Sequence, residues 1–266
     1  MECSDMTSPA VLTVQGASVA FDHTVVLDAV NVTAHSGEVL ALIGPNGAGK
    51  TTLLKAVSDD VALDAGSIVF GDKQLNHWPH LERARALAVL PQFSLLNFPY
   101  TVEEVVALGR TPHKTGTVID NSIVQEAMAA MDISHLKQRA YTHLSGGEKQ
   151  RTQLARVLTQ IWRHDDASPR LLLLDEPTTA LDLGHQQMLM QAVGRFASSG
   201  VAVIMVVHDV NIAAAYADRV LALKDGKVLA EGPTDTVINA ELIASLFGAH
   251  VCLVTHPETG KCMVIS

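Results

Sequence analysis

The stretch "EVLALIGPNGAGKTTLLKAV", Glu38 to Val57, changes character twice along its length. It opens as an unbroken apolar run, the composition of a strand buried on both faces, and closes as "KTTLLKAV", apolar at helical period. Between the two lies "GPNGAGKT", which fits the P-loop pattern in the strand-to-helix setting that the motif requires. Gly44, Gly47 and Gly49 let the backbone wrap phosphates with its N–H groups, and the helix N-terminus adds partial positive charge. Pro45, Asn46, Ala48 and Thr52 share the expected nucleotide site. Lys50 is expected to reach the β- and γ-phosphates, and the Thr51 hydroxyl to ligate Mg²⁺. A glycine-rich turn without a ligand is the alternative reading.

Outward from this turn the pattern stays legible. The residues before it alternate apolar and polar in "VLTVQGASVAF" and "VVLDAVNVTA", as half-buried antiparallel strands do, and "SIVFGDKQL" after it reads as a β hairpin. Buried strands recur at "LLLLDEP" and "VAVIMVVHD", with helices predicted at "EKQRTQLARVLTQIW" and "LGHQQMLMQAVGRFA". Strands alternating with helices predict a mostly parallel sheet covered on both faces. From residue 93 to 142, "TVEEVVALG" and "SIVQEAMAAMDISHLKQRA" carry helical spacing around a turn-rich "RTPHKTG", which predicts an inserted helical subdomain. The fold class expected is thus α/β, a P-loop domain with an N-terminal antiparallel β subdomain. One domain spans residues 1–266: a core of 1–92 and 143–250, the helical subdomain 93–142, and a C-terminal β hairpin 251–266 about a Pro-Glu-Thr-Gly turn.

Composition limits the function. At 266 residues the chain can bury about three quarters of its unfolded surface and needs no disulfides. Cys3, Cys252 and Cys262 are an odd count without metal-ligand spacing, read as reduced thiols, with a Cys252–Cys262 bridge as the alternative. The longest apolar runs are strand-sized, far short of the ~20 residues that span a bilayer, and the N-terminus lacks the apolar core of a secretory signal. A net charge of −9 argues against a protein that coats nucleic acid. The twelve histidines are scattered and give no axial haem-ligand pattern.

Several strand ends carry candidate chemistry. Asp175 and Glu176 follow four leucines; beside a P-loop they supply an acid to hold Mg²⁺ and an acid to orient or deprotonate the attacking water. A solvated strand end is the simpler alternative. His208 follows "VAVIMVV" at the strand's carboxyl edge, where α/β sheets place ligands, and a contact to the γ-phosphate competes with a structural role. Gln92 ends the strand in "VLPQ", either at the site or as a surface glutamine. "LSGGEKQR" (Leu144–Arg151) is a second phosphate-holding turn, about a hundred residues after the first.

In that order, these segments resemble an ATP-binding cassette (ABC) ATPase over nearly the whole chain. The resemblance covers Gly44 to Thr51 as Walker A, Gln92 as Q-loop, "LSGGEKQR" as signature, Asp175 and Glu176 as Walker B, Asp182 as D-loop and His208 as H-loop. It implies ATP as the nucleotide with Mg²⁺ held by Thr51, Asp175 and Gln92, and catalysis by Glu176, His208, Lys50 and Gln92. It implies a head-to-tail homodimer with two composite sites, in which Ser145, Gly146 and Gly147 of one copy face the γ-phosphate on the P-loop of the other. The second phosphate turn thereby gains a purpose. Phe21 aligns with the family's aromatic that stacks on adenine; ordinary strand core is its other reading.

"VVALGRTPH" after the Q-loop and "DLGHQQMLM" after the D-loop resemble importers of iron chelates, haem and cobalamin. "WRHDDASPR" and the closing "LFGAHVCLVTHPETGKCMVIS" are most similar to ATP-binding subunits of haemin importers. That implies haem uptake through a separate membrane permease dimer, an indirect periplasmic haem-binding partner, no nucleic acid, and a peripheral place on the cytoplasmic face of the inner membrane. Ferric-siderophore or cobalamin import, or a non-transport cassette such as an iron–sulfur assembly factor, are the alternatives. Repair-type cassettes would carry a long coiled coil or zinc insert, yet roughly fifty residues without heptads separate Gln92 from Leu144. Phe93, Leu95, Leu96, Phe98 and Tyr100 follow Gln92, either buried or forming a cleft for a permease helix.

Overall fold

The computed structural model of the chain describes residues 9–92, 98–163 and 167–265. Cys3, Phe93, Leu95 and Leu96 therefore lie outside the described residues, as does part of "WRHDDASPR". In chain order, β1 (Ala10–Phe21), β2 (Thr24–His35) and β3 (Val39–Ile43) lead into α1 (Lys50–Val57). β4 (Ala65–Phe70), β5 (Lys73–Gln74), α2 (His80–Ala86) and β6 (Leu87–Leu90) follow, then α3 (Val102–Ala107), α4 (Thr117–Ala130) and α5 (Gly146–Gln160). β7 (Leu171–Asp175), α6 (Leu183–Ser198), β8 (Ala202–Val206), α7 (Val210–Tyr216), β9 (Arg219–Lys224) and β10 (Lys227–Pro233) come next. α8 (Thr234–Val237), α9 (Ala240–Phe247), β11 (Cys252–Thr255) and β12 (Cys262–Ile265) close the described chain.

The strands form an antiparallel sheet ordered β2-β1-β4-β5, a larger sheet ordered β10-β9-β3-β8-β7-β6, and the β11–β12 hairpin. In the larger sheet β9, β3, β8, β7 and β6 run parallel, and β10 adds an antiparallel edge. Every residue of β3, β7 and β8 is buried, because successive side chains feed two different cores. Val39, Ala41 and Ile43 join Leu172 and Leu174 on the face covered by α3, α4, α5 and α6. Leu40 and Leu42 join Leu171 and Leu173 on the face covered by α1 and the antiparallel sheet. Continuous apolar strands in the sequence thus correspond to two-sided burial.

Two predicted helices have different bounds. α5 begins at Gly146 rather than Glu148, because Ser145 caps it: the Ser145 side chain accepts from Glu148 N, and the Glu148 carboxylate accepts from Ser145 N. The helix expected over 122–140 starts earlier, at Thr117, and ends at Ala130, where Asp132 takes a left-handed backbone (φ 50°) and a short 3₁₀ turn at Ser134–Leu136 follows.

The segment "LGRTPH" has a packing reason. Arg110 is buried, and its guanidinium donates to Asp120 Oδ1 (2.9 Å), Thr159 O (2.8 Å) and Thr115 Oγ1 (2.9 Å), tying α4 to α5. Gly109 lies so close to α5 that a Cβ there would stand 2.0 Å from Arg156 O and 2.1 Å from Thr159 Oγ1. Gly109→Ala is expected to lower stability by about 3 kcal/mol or to abolish folding, as overpacking does. Urea unfolding measures it, and an unchanged midpoint would contradict this packing.

The closing hairpin settles the cysteine question. Cys252 pairs with Ile265 and Cys262 with Thr255, so the two thiols stand three positions apart in register and on opposite faces. A bridge between them is excluded, and both are free.

Candidate active site

The sheet brings the predicted residues to one edge. The P-loop follows β3, Gln92 lies just past β6, Glu176 follows β7 and His208 lies just past β8, all at carboxyl ends of parallel strands. Asn46, Gly47, Ala48, Gly49, Lys50, Thr51 and Thr52 line one cleft of about 370 Å³ together with Gln92, Glu176 and His208. Gly44 and Pro45 turn their carbonyls to this loop's lysine: Lys50 Nζ donates to Gly44 O at 2.7 Å and Pro45 O at 2.9 Å. The last glycine of the loop is obligatory. Gly49 sits at φ 98°, and a Cβ there would meet Leu27 Cδ2 and Val26 O at 2.7 Å.

Charge is concentrated at the cleft floor. Burial lowers the Lys50 ammonium below the usual lysine range, opposed by the carboxylates of Glu176 and Asp175. Burial likewise raises the Asp175 carboxyl, with the Thr51 hydroxyl opposing it as a donor at 3.3 Å. A hydroxyl and a buried carboxylate side by side are hard oxygen donors of the type Mg²⁺ takes, so these residues fit the ion. Glu176 carries a left-handed backbone (φ 52°) fixed by its N–H on Val206 O at 3.1 Å. Its Oε1 stands 2.5 Å from His208 Nε2, while the glutamate side chain is nearly buried and the imidazole half exposed. The arrangement can hold polyphosphate between backbone donors and a lysine, and can present a carboxylate to a water.

The second glycine turn opens elsewhere. Ser145, Gly147, Glu148, Arg151 and Asp182 line a separate cleft of about 270 Å³ that shares no residue with the first. Gly146 begins α5 there, and Asp182 caps α6 by accepting from His185 N at 2.9 Å. Phe21 ends β1 opposite Thr24 and is 48% exposed, which rules out the strand-core reading; it is not among the residues lining the P-loop cleft.

Residues that sequence reasoning missed hold the turn after Glu176. Gln150 on α5 donates to Pro177 O at 3.1 Å, and Gln186 on α6 donates to Leu181 O at 3.1 Å. His185 pairs with Asp182 at 2.7 Å. The available signal is their place within the first two turns of helices that open at Ser145 and Asp182.

Fold and site together define a P-loop nucleotide-binding domain. Residues 27–179 match the family described as ABC transporter. A hemin import ATP-binding protein of Gloeobacter violaceus is 51% identical over 241 residues, 90% of this chain and 88% of its own. One from Pseudomonas aeruginosa is 43% identical over 256 residues, 96% of this chain and 100% of its own. Among solved structures, an inward-facing chain assigned to the metal-chelate type of ABC transporter superposes with a TM-score of 0.79 at 25% identity, covering 96% of both chains. The chain belongs to the ABC transporter family, as an ATP-hydrolysing member. Among the described residues no helix is long and apolar enough to cross a membrane.

Proposed function

We propose that this chain is the ATPase subunit of a haemin importer and drives uptake through a separate membrane permease. Similarity to hemin import ATP-binding proteins along 90–96% of the chain carries the cargo assignment. In the hydrolytic step, the Gly44–Thr52 backbone and Lys50 hold the β- and γ-phosphates of ATP. Thr51, Asp175 and Gln92 are the residues that would hold Mg²⁺. When bound, the ion would supply positive charge that offsets the negative charge developing on the transferred phosphate. Glu176, already fixed by its backbone bond to β8, takes the proton of the attacking water. His208 keeps that carboxylate in place and donates to the γ-phosphate. Phe21, exposed at the end of β1, offers its ring to adenine.

Two separate clefts on one chain support a head-to-tail homodimer, in which Ser145, Gly146, Gly147 and Asp182 of one copy close the P-loop cleft of the other. On this reading residues 93–142 form the subdomain that meets the permease. The subunit sits on the cytoplasmic face of the inner membrane, and a periplasmic haem-binding protein delivers cargo on the far side. Phe98 is 62% exposed, with its ring centroid 6.0 Å from that of the exposed Tyr100, an apolar pair suited to a permease helix. Phe98→Ser is expected to leave folding and basal ATP hydrolysis unchanged while weakening co-purification with the permease and reducing transport. Unchanged transport would remove Phe98 from the docking surface.

Proteoliposomes carrying the permease, with and without this chain, test the function as a whole. ATP-dependent haemin uptake is expected only with the chain. Uptake of a ferric siderophore or cobalamin in place of haemin would overturn the cargo assignment.

A further inference from the structure

The β11–β12 hairpin stands apart from the core sheet and lies along α7. Asn211, in the first turn of α7, makes both side-chain hydrogen bonds to one residue. Its Nδ2 donates to Val264 O at 3.1 Å and its Oδ1 accepts from Val264 N at 2.7 Å. The amide thus takes the place of a neighbouring strand. At the other end of the helix, Lys261 Nζ donates to Ala215 O at 2.5 Å, satisfying a carbonyl of the last turn. Cys262 and Val264 also pack against the core.

The head of α7 connects this grip to the hydrolytic site. Asp209 caps the helix by accepting from Asn211 N at 2.8 Å, and His208 is the residue before it. The His208 side chain is half exposed, so surrounding packing does little to fix it. Its direction is set mainly by the backbone from which it rises. A helix of seven residues is too short to hold that backbone by its own hydrogen bonds.

We propose that the C-terminal hairpin braces the hydrolytic site, with Asn211 as a positioning residue that holds His208 against Glu176 through α7. The proposal rests on the roles given above to Glu176 and His208. Asn211 touches neither nucleotide nor water; it acts through the geometry of the 2.5 Å His208–Glu176 contact.

The test compares ATP turnover of the full-length protein with two variants. Asn211→Leu removes the amide from the helix side. Val264→Pro removes the N–H from the hairpin side and leaves α7 untouched. Because Val264 directs both its N–H and its carbonyl to Asn211, a proline there breaks no ladder bond to β11, and an edge strand tolerates it. Each variant is expected to fold, to lower kcat about tenfold, and to leave KM for ATP within about twofold, the pattern of a displaced catalytic group. In a His208→Ala background the same substitutions are expected to have no further effect. Unchanged kcat in the folded variants would overturn the proposal, and so would an undiminished loss in the His208→Ala background. Failure of both variants to fold would assign the hairpin to folding alone. Full activity of His208→Ala by itself would show a different failure, that of the role given to His208, and would remove the proposal with it.

Discussion

Glu176→Gln is expected to bind ATP as the parent does and to turn it over at least about a hundredfold more slowly, the scale of losing a general base. The amide has the carboxylate's shape and can still meet His208 Nε2, so the turn after β7 keeps its geometry. Lys50, Thr51 and Asp175, the residues proposed to carry the phosphate and metal contacts, are untouched. What disappears is the ability to accept a proton from water. Single-turnover hydrolysis of labelled ATP measures the loss, and ATP-bound dimers are expected to accumulate by size-exclusion chromatography. Parental turnover in this variant would show that the residue at the end of β7 does not activate water.

Ser145→Arg is expected to cost about as much, for a different reason. Ser145 lies outside the P-loop cleft of its own chain, so nucleotide binding to the monomer is expected to survive. Loss of the capping box costs about 1 kcal/mol, too little to unfold the domain. The long cationic side chain, however, would occupy the turn proposed to face the partner's γ-phosphate. ATP-dependent dimerisation is expected to fail, and turnover to fall about a hundredfold or more, as when a preorganised anion donor is lost. Equilibrium nucleotide binding separates this outcome from misfolding.

Much of this architecture is legible in the sequence because several local signals agree. The solid apolar runs at Val39–Ile43, Leu171–Asp175 and Ala202–Val206 are the buried parallel strands; the first runs into the glycine-rich loop at Gly44, and the other two deliver Glu176 and His208 just past their carboxyl ends. The P-loop announces itself by glycines whose positions the backbone demands. Less legible are features made by tertiary packing. The end of α4 depends on the left-handed Asp132, and no proline or glycine marks it. The grip of Gln150 on Pro177 joins residues 27 apart, and that of Asn211 on Val264 joins residues 53 apart. Neither spacing carries a periodic signal. By contrast, the β9–β10 hairpin was open to reading from "KDGK": Asp225 (φ 49°) and Gly226 (φ 77°) are the pair that a tight two-residue turn favours.

The central claim, that one hydrolytic site is completed by two copies of the chain, is tested most directly by mixing two inactive variants. Lys50→Ala spoils the P-loop and keeps the signature turn; Ser145→Arg spoils the signature turn and keeps the P-loop. Each homodimer then has no intact site, whereas a mixed dimer has one. Equal mixing is expected to restore ATP hydrolysis to as much as about a quarter of the parent's rate, since up to half the dimers are mixed and each has one working site of two. Hydrolysis in the mixture no higher than in the separate variants, with mixed dimers demonstrably formed, would contradict a site shared between chains.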